Sequence, residues 1–226
     1  MSIARLIPSL IVVAALSAPS KSAAEDFYFM TVYGAQRPII NQARYTHTWA
    51  TFIKLSGCGA DLRTYRAESF TISWLPATLE VKPQRLRPEP GINLTLQQTL
   101  EQCDKNRMEV AQFGPYQIKP ELYALAIRRF DQLERRELTN RASDLFNAKR
   151  TEETCNCIYA VLDIDGRDPT FRPVTLGFGD IGSAFVVRIL SPYIVDRKQT
   201  YPCVTELIGA SNYRTLQFGK PSIFTR

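Results

Sequence analysis

Cys157 and His47 are the side chains in this 226-residue chain whose types and setting could do covalent chemistry. Cys157 follows Asn156 in the stretch TEETCNCIYAVLDIDG (151–166). Asn156 is a good helix N-cap, and Ile158, Val161 and Leu162 recur at helical spacing before Gly166 ends the segment. A thiol in that first turn meets unpaired backbone N–H groups and the positive end of the helix dipole, which favour the thiolate. A thiolate that attacks an acyl group needs a base, and the chain holds one histidine, so the imidazole partner can only be His47. The chemistry would be hydrolysis or transfer of an amide or ester acyl group through a thioester on Cys157, with His47 as base and then acid. The competing reading makes Cys157 a core or disulfide-bonded residue and His47 a satisfied structural histidine, leaving a non-catalytic binding or structural domain.

The elements that must position this pair are strands upstream and helices downstream. Residues 26–33 (DFYFMTVY) are aromatic and β-branched, a predicted strand. The stretch 44–55 (RYTHTWATFIKL) alternates, with Tyr45, His47, Trp49 and Thr51 on one face and Thr46, Thr48, Ala50 and Phe52 on the other. A third strand is predicted over 68–75 (ESFTISWL), antiparallel to the second. After a proline-rich connection, Asn93 is a candidate cap for a helix with Leu96, Leu100 and Cys103 on its apolar face, followed by a bent strand over 108–118. Pro120 opens the strongest predicted helix, with a stripe of Leu122, Leu125, Ala126, Phe130 and Leu133 and with Arg128, Arg129, Arg135 and Arg136 on the solvated side. A further helical turn is predicted over 140–148, ahead of the cysteine helix. The glycines of LGFGDIG (176–182) lack the Lys-Ser/Thr of a phosphate loop; they predict a close approach to the cysteine helix, with Asp180 capping a helix through Leu190. The tail from 202 onward is too mixed to assign.

A histidine early on a strand and a cysteine late at a helix start is the reverse of the order in papain. The layout resembles the circularly permuted papain-like fold, the group that includes lecithin retinol acyltransferase and bacterial cell-wall cysteine hydrolases. His47 in THTWATFIKL and the pair Asn156-Cys157 carry the resemblance, which spans residues 26–165 in order of elements. It implies an α+β domain with an antiparallel sheet flanked by helices, and a third polar residue on the strand after the histidine strand. Glu68 and Ser73 are the candidates there: Glu68 is the better chemical orienter for an imidazole N–H, and Ser73 is better placed opposite His47. Glu68 is preferred, which makes the expected site Cys157, His47 and Glu68. Tyr33, near the end of the first strand, is a candidate oxyanion donor whose simpler role is packing.

Composition bounds the setting. Residues 1–24 read as a secretory signal peptide, with Arg5 before an apolar run at 6–16 that is too short to span a bilayer, leaving 25–226 as one α+β domain, secreted or periplasmic. Removing Arg5 and Lys21 with the leader lowers the net charge from +6 to +4, an ordinary solvated surface or a weak attraction to anionic envelope polymers. No basic run interleaved with aromatics points to nucleic acid. Five cysteines leave at least one thiol unpaired within a monomer; the other four can form two disulfides in three connectivities. One histidine with a C-x-C does not furnish a tetrahedral zinc site, so no cofactor is expected. The expected partner is a small-molecule, peptide or lipid-ester substrate, including a cell-wall peptide.

Overall fold

The structure, a computed structural model, describes residues 24–36, 46–82, 87–142, 154–166 and 179–217. Apart from Ala24 the expected leader lies outside these residues, as do 37–45, most of the helical turn expected over 140–148, and the turn-rich piece at 167–178.

β1 (Glu25–Gln36) holds the middle of a five-stranded sheet because it is apolar on both sides. Phe29 and Tyr33 face one way, Met30 and Val32 the other, and all four are fully buried. It pairs antiparallel with β2 (His47–Gly57) and with β6 (Glu109–Ile118); β2 pairs antiparallel with β3 (Arg66–Ile72). β9 (Thr215–Gln217) joins β6 in parallel at the other edge. The expected antiparallel pairing of the second and third strands is therefore observed. The predicted bend of β6 coincides with a register shift of its ladder between Met30 and Val32 and with Gly114 at φ 96, a backbone conformation that suits glycine.

Helices cover both faces. On the face of Met30, Val32, Ala50 and Phe52 lie α2 (Pro120–Glu134), α3 (Cys157–Leu162) and α4 (Gly179–Ile189). On the face of Tyr33, Trp49 and Ile53 lie α1 (Leu96–Lys105) and α5 (Pro202–Leu207), through Leu100 and Cys103 of the first and Val204 of the second. The chain is thus α+β, a mainly antiparallel sheet between helices. Among the described residues no helix is long and apolar enough to cross a membrane.

Three local expectations need correction. The strand predicted over 68–75 breaks at Ser73: β3 ends at Ile72, and β4 (Trp74–Pro76) enters a second sheet with β5 (Glu89–Asn93), β7 (Thr139–Asn140) and β8 (Thr154–Cys155). Asn93 makes that break workable, since its side chain accepts from the Ser73 N–H at 2.7 Å and donates to the Thr71 carbonyl at 2.9 Å. It is therefore not the helix cap. Thr95 caps α1, its hydroxyl accepting from Gln98 N–H while the Gln98 side chain accepts from the Thr95 N–H, a reciprocal capping box. The third correction is Arg129, expected on the solvated side of α2. It is buried, and donates through Nε to the Ala160 carbonyl at 3.2 Å and through a terminal nitrogen to the Tyr159 carbonyl at 3.3 Å. Those carbonyls lie near the C-terminal end of α3, where the Tyr159 carbonyl also accepts from the Asp163 N–H.

Two other local readings hold. Asn156 caps α3 by accepting from the Tyr159 N–H at 2.9 Å, and Gly166 ends the segment at φ 68. Gly182 of α4 sits so close to the cysteine helix that a Cβ there would stand 3.1 Å from Ile158 Cδ1.

Candidate functional site

His47 opens β2, and its ring stacks on Trp49 with centroids 5.2 Å apart; Trp49 in turn stacks on Tyr33 at 5.2 Å. This column of rings lies on the α1 side of the sheet. Thr48, the next residue, points to the other side, where its hydroxyl lies 3.1 Å from Ser183 Oγ of α4. A Cβ on Gly182 would meet both Thr48 Oγ1 and Ile158, so α3 also lies on the Thr48 side. Cys157, the first residue of α3, and His47 are therefore separated by β2 itself. Glu68 stands opposite Lys54, far down the β2–β3 ladder, exposed and in an ion pair with Arg66 at 3.2 Å. Glu68 is thus remote from His47, and the His47 ring and α3 lie on opposite sides of the sheet. Tyr33 is fully buried between strands and helices, with burial raising its phenol, and it serves the ring stack.

What His47 does meet is Ser73, the other candidate on the following strand. Nε2 lies 2.8 Å from Ser73 Oγ, and the Thr99 hydroxyl lies 2.8 Å from that same oxygen and 2.8 Å from the Thr95 carbonyl. The Ser73 side chain is presented at this point because the chain passes from one sheet to the other there, and Thr99 because it lies on the inward face of α1 with Leu100 and Cys103. Nδ1 is buried and has no hydrogen-bond partner. Burial alone pushes the imidazole down to about 3, so the ring is neutral at ordinary pH. Such a weakly basic ring is poorly matched to proton abstraction near neutrality.

His47 and Thr99 belong to the wall of a pocket of about 400 Å³, with Leu75, Leu79, Val81 and Met108 supplying apolar surface. Leu79 has φ 57, a left-handed conformation that costs a non-glycine residue about 1–2 kcal/mol. The turn that imposes it is tied by Leu79 N–H to the Pro76 carbonyl and Ala77 N–H to the Pro90 carbonyl, both at 2.8 Å. Glu80 and Lys82 supply charge to the pocket lining, are exposed, and pair with each other at 2.6 Å. Cys103 also lines the pocket; burial pushes its thiol up to about 12, so it stays protonated. Among the described residues, no group of three or more His, Cys, Asp or Glu side chains is placed to hold a metal ion.

Thr99, Leu79 and Met108 were not singled out as site residues by sequence reasoning. Thr99 had a signal: it falls on the same helical face as Leu96, Leu100 and Cys103, a hydroxyl set in an apolar stripe. Leu79 and Met108 had none, because each reaches the pocket from a connection whose path depends on tertiary contacts. Comparison of the chain with family models, with curated proteins and with solved structures finds no match.

Proposed function

We propose that this chain is an exported, non-catalytic domain that binds a small molecule in the pocket beside His47. The observation that carries the proposal is the pocket of about 400 Å³ that His47 and Thr99 line together with Leu75, Leu79, Val81 and Met108. The pocket has the size of a ligand site, and its wall mixes apolar side chains with the polar Thr46, His47, Thr99, Gln102 and Asn106 and the Glu80–Lys82 ion pair. Export rests on the charged residue and short apolar run at 5–16. The test is titration with the neutral dye N-phenyl-1-naphthylamine, comparing the wild type with Met108→Trp, which fills the pocket. Saturable binding that the variant abolishes while its circular dichroism is unchanged supports the reading. Absence of binding, or equal binding by both proteins, overturns it.

The second reading is the thiol hydrolase or acyltransferase of a permuted papain-like fold. It is favoured by Asn156 capping α3 with Cys157 in the first turn. It requires His47 to act on that turn, although its ring lies on the other side of β2 from α3. Iodoacetamide labelling across pH, with peptide mapping and a His47→Ala control, separates the two. Cys157 labelling with an apparent pKa well below about 8.5 that depends on His47 would revive the hydrolase. Labelling of Cys157 that is indifferent to His47→Ala agrees with the binding domain.

A further inference from the structure

We infer that the ligand of this pocket is a free α-amino acid with an aliphatic side chain, its ammonium and carboxylate held by Glu80 and Lys82. This rests on the binding reading above and narrows it to a chemical class.

The aliphatic part follows from how the lining is graded by exposure. Leu75, His47, Thr99 and Cys103 are buried. Thr46, Val81, Gln102, Asn106 and Met108 are half-buried, and Leu79, Glu80 and Lys82 are exposed. The buried group carries no charge at neutral pH, since burial holds the imidazole neutral and the Cys103 thiol protonated. The Thr99 hydroxyl already lies 2.8 Å from both Ser73 Oγ and the Thr95 carbonyl. An ionised ligand group among these residues would lack a counter-ion, which is costly, so the buried end takes an uncharged, apolar part of the ligand. Leu75 and Cys103 there, with Val81, Met108 and Leu79 farther out, supply the surface on which it packs.

The charged part follows from Glu80 and Lys82. Their ion pair closes at 2.6 Å with both side chains more than half exposed, so solvent keeps it weak and a ligand joins it at little cost. A lone carboxylate would meet Lys82 but also face Glu80, and a lone ammonium would meet the reverse. A zwitterion answers both charges, its ammonium donating to Glu80 and its carboxylate accepting from Lys82. Because the two protein charges touch, the two on the ligand must also be close, as they are when one carbon carries both. A peptide does not match that spacing, since at least one further residue separates its charged ends. Thr46, Gln102 and Asn106, intermediate in exposure, offer the hydroxyl and amide groups that the remaining ammonium protons and carboxylate oxygen need.

The test is isothermal titration calorimetry of the folded protein at neutral pH with L-leucine. Isopentylamine is leucine without its carboxylate, 4-methylpentanoate is leucine without its ammonium, and glycine lacks the side chain. The expected result is that leucine binds and that each of the other three binds at least about tenfold more weakly. Glu80→Gln and Lys82→Met, which remove one charge each at exposed positions, should each weaken leucine binding by about tenfold or more with circular dichroism unchanged. Equal or tighter binding of any of the three analogues, or leucine binding that both variants leave as it was, overturns the inference and leaves the binding reading standing. Absence of leucine binding while the neutral dye still binds does the same. If neither leucine nor the dye binds, the binding reading itself fails and the inference falls with it.

Discussion

His47 Nε2 and Ser73 Oγ lie 2.8 Å apart although 26 residues separate them in the chain. The contact ties the first residue of β2 to the point at which the chain leaves the large sheet for the small one. It therefore fixes the ring that lines the pocket and also marks a junction of the fold.

Removing that tie should be felt as stability. Ser73→Ala leaves Nε2 buried without a partner and takes one acceptor from the Thr99 hydroxyl, so the variant is expected to lose about 1–3 kcal/mol. Urea unfolding followed by tryptophan fluorescence measures the change. A midpoint equal to that of the wild type would mean that the contact contributes nothing.

The neutral ring also sets a pH dependence. Burial lowers the folded-state value of His47 to about 3 from an ordinary 6.5, so the unfolded chain binds the proton first. Stability is then undiminished above about pH 6.5 and falls on acidification, by as much as about 1.4 kcal/mol per pH unit, until the folded ring itself protonates. Between about pH 6.5 and 5 most carboxylates contribute little, and in this window His47→Gln should flatten the curve. Parallel curves for the two proteins there would contradict the buried, neutral histidine.

Gly91 on β5 is held by a steric limit rather than by a turn. A Cβ there would stand 2.0 Å from the Trp74 indole, a ring that is 1% exposed. Gly91→Ala is expected to cost about 1–3 kcal/mol or more, because the indole has no room to retreat. In a Trp74→Leu background the same alanine should cost much less, a coupling that a double-mutant cycle in urea reads directly. Additive costs would show that the indole is not what the alanine meets.

Arg129 is expected to behave unlike its neighbours. Arg129→Met strips the Tyr159 and Ala160 carbonyls of their charged donor and should cost about 1.5–3 kcal/mol, while Arg128→Met, at an exposed position, should change stability by less than about 0.5 kcal/mol. Thermal unfolding of the two variants side by side decides this. Equal effects would return Arg129 to the solvated face of α2.

Local chemistry was enough to read the strands β1 to β3, the Pro120 start of α2, the Asn156 cap and the Gly166 stop, since alternation, capping and chain-breaking act within a few residues. It was also enough to see that His47 and Thr48 point to opposite faces. What it could not supply was which helix covers which face, because both faces of the sheet are apolar and composition does not distinguish them. That was decided by contacts between distant residues, α1 closing over Trp49 and α3 and α4 over Thr48. The same reason hid Asn93 and Arg129, whose hydrogen-bond partners lie far along the chain. Sequence alone thus determined that a lone histidine would stand at the start of a strand with Ser73 or Glu68 available from the next. Tertiary packing decided that it is Ser73 it meets, that the cysteine helix covers the other face of the sheet, and that His47 joins the wall of a pocket.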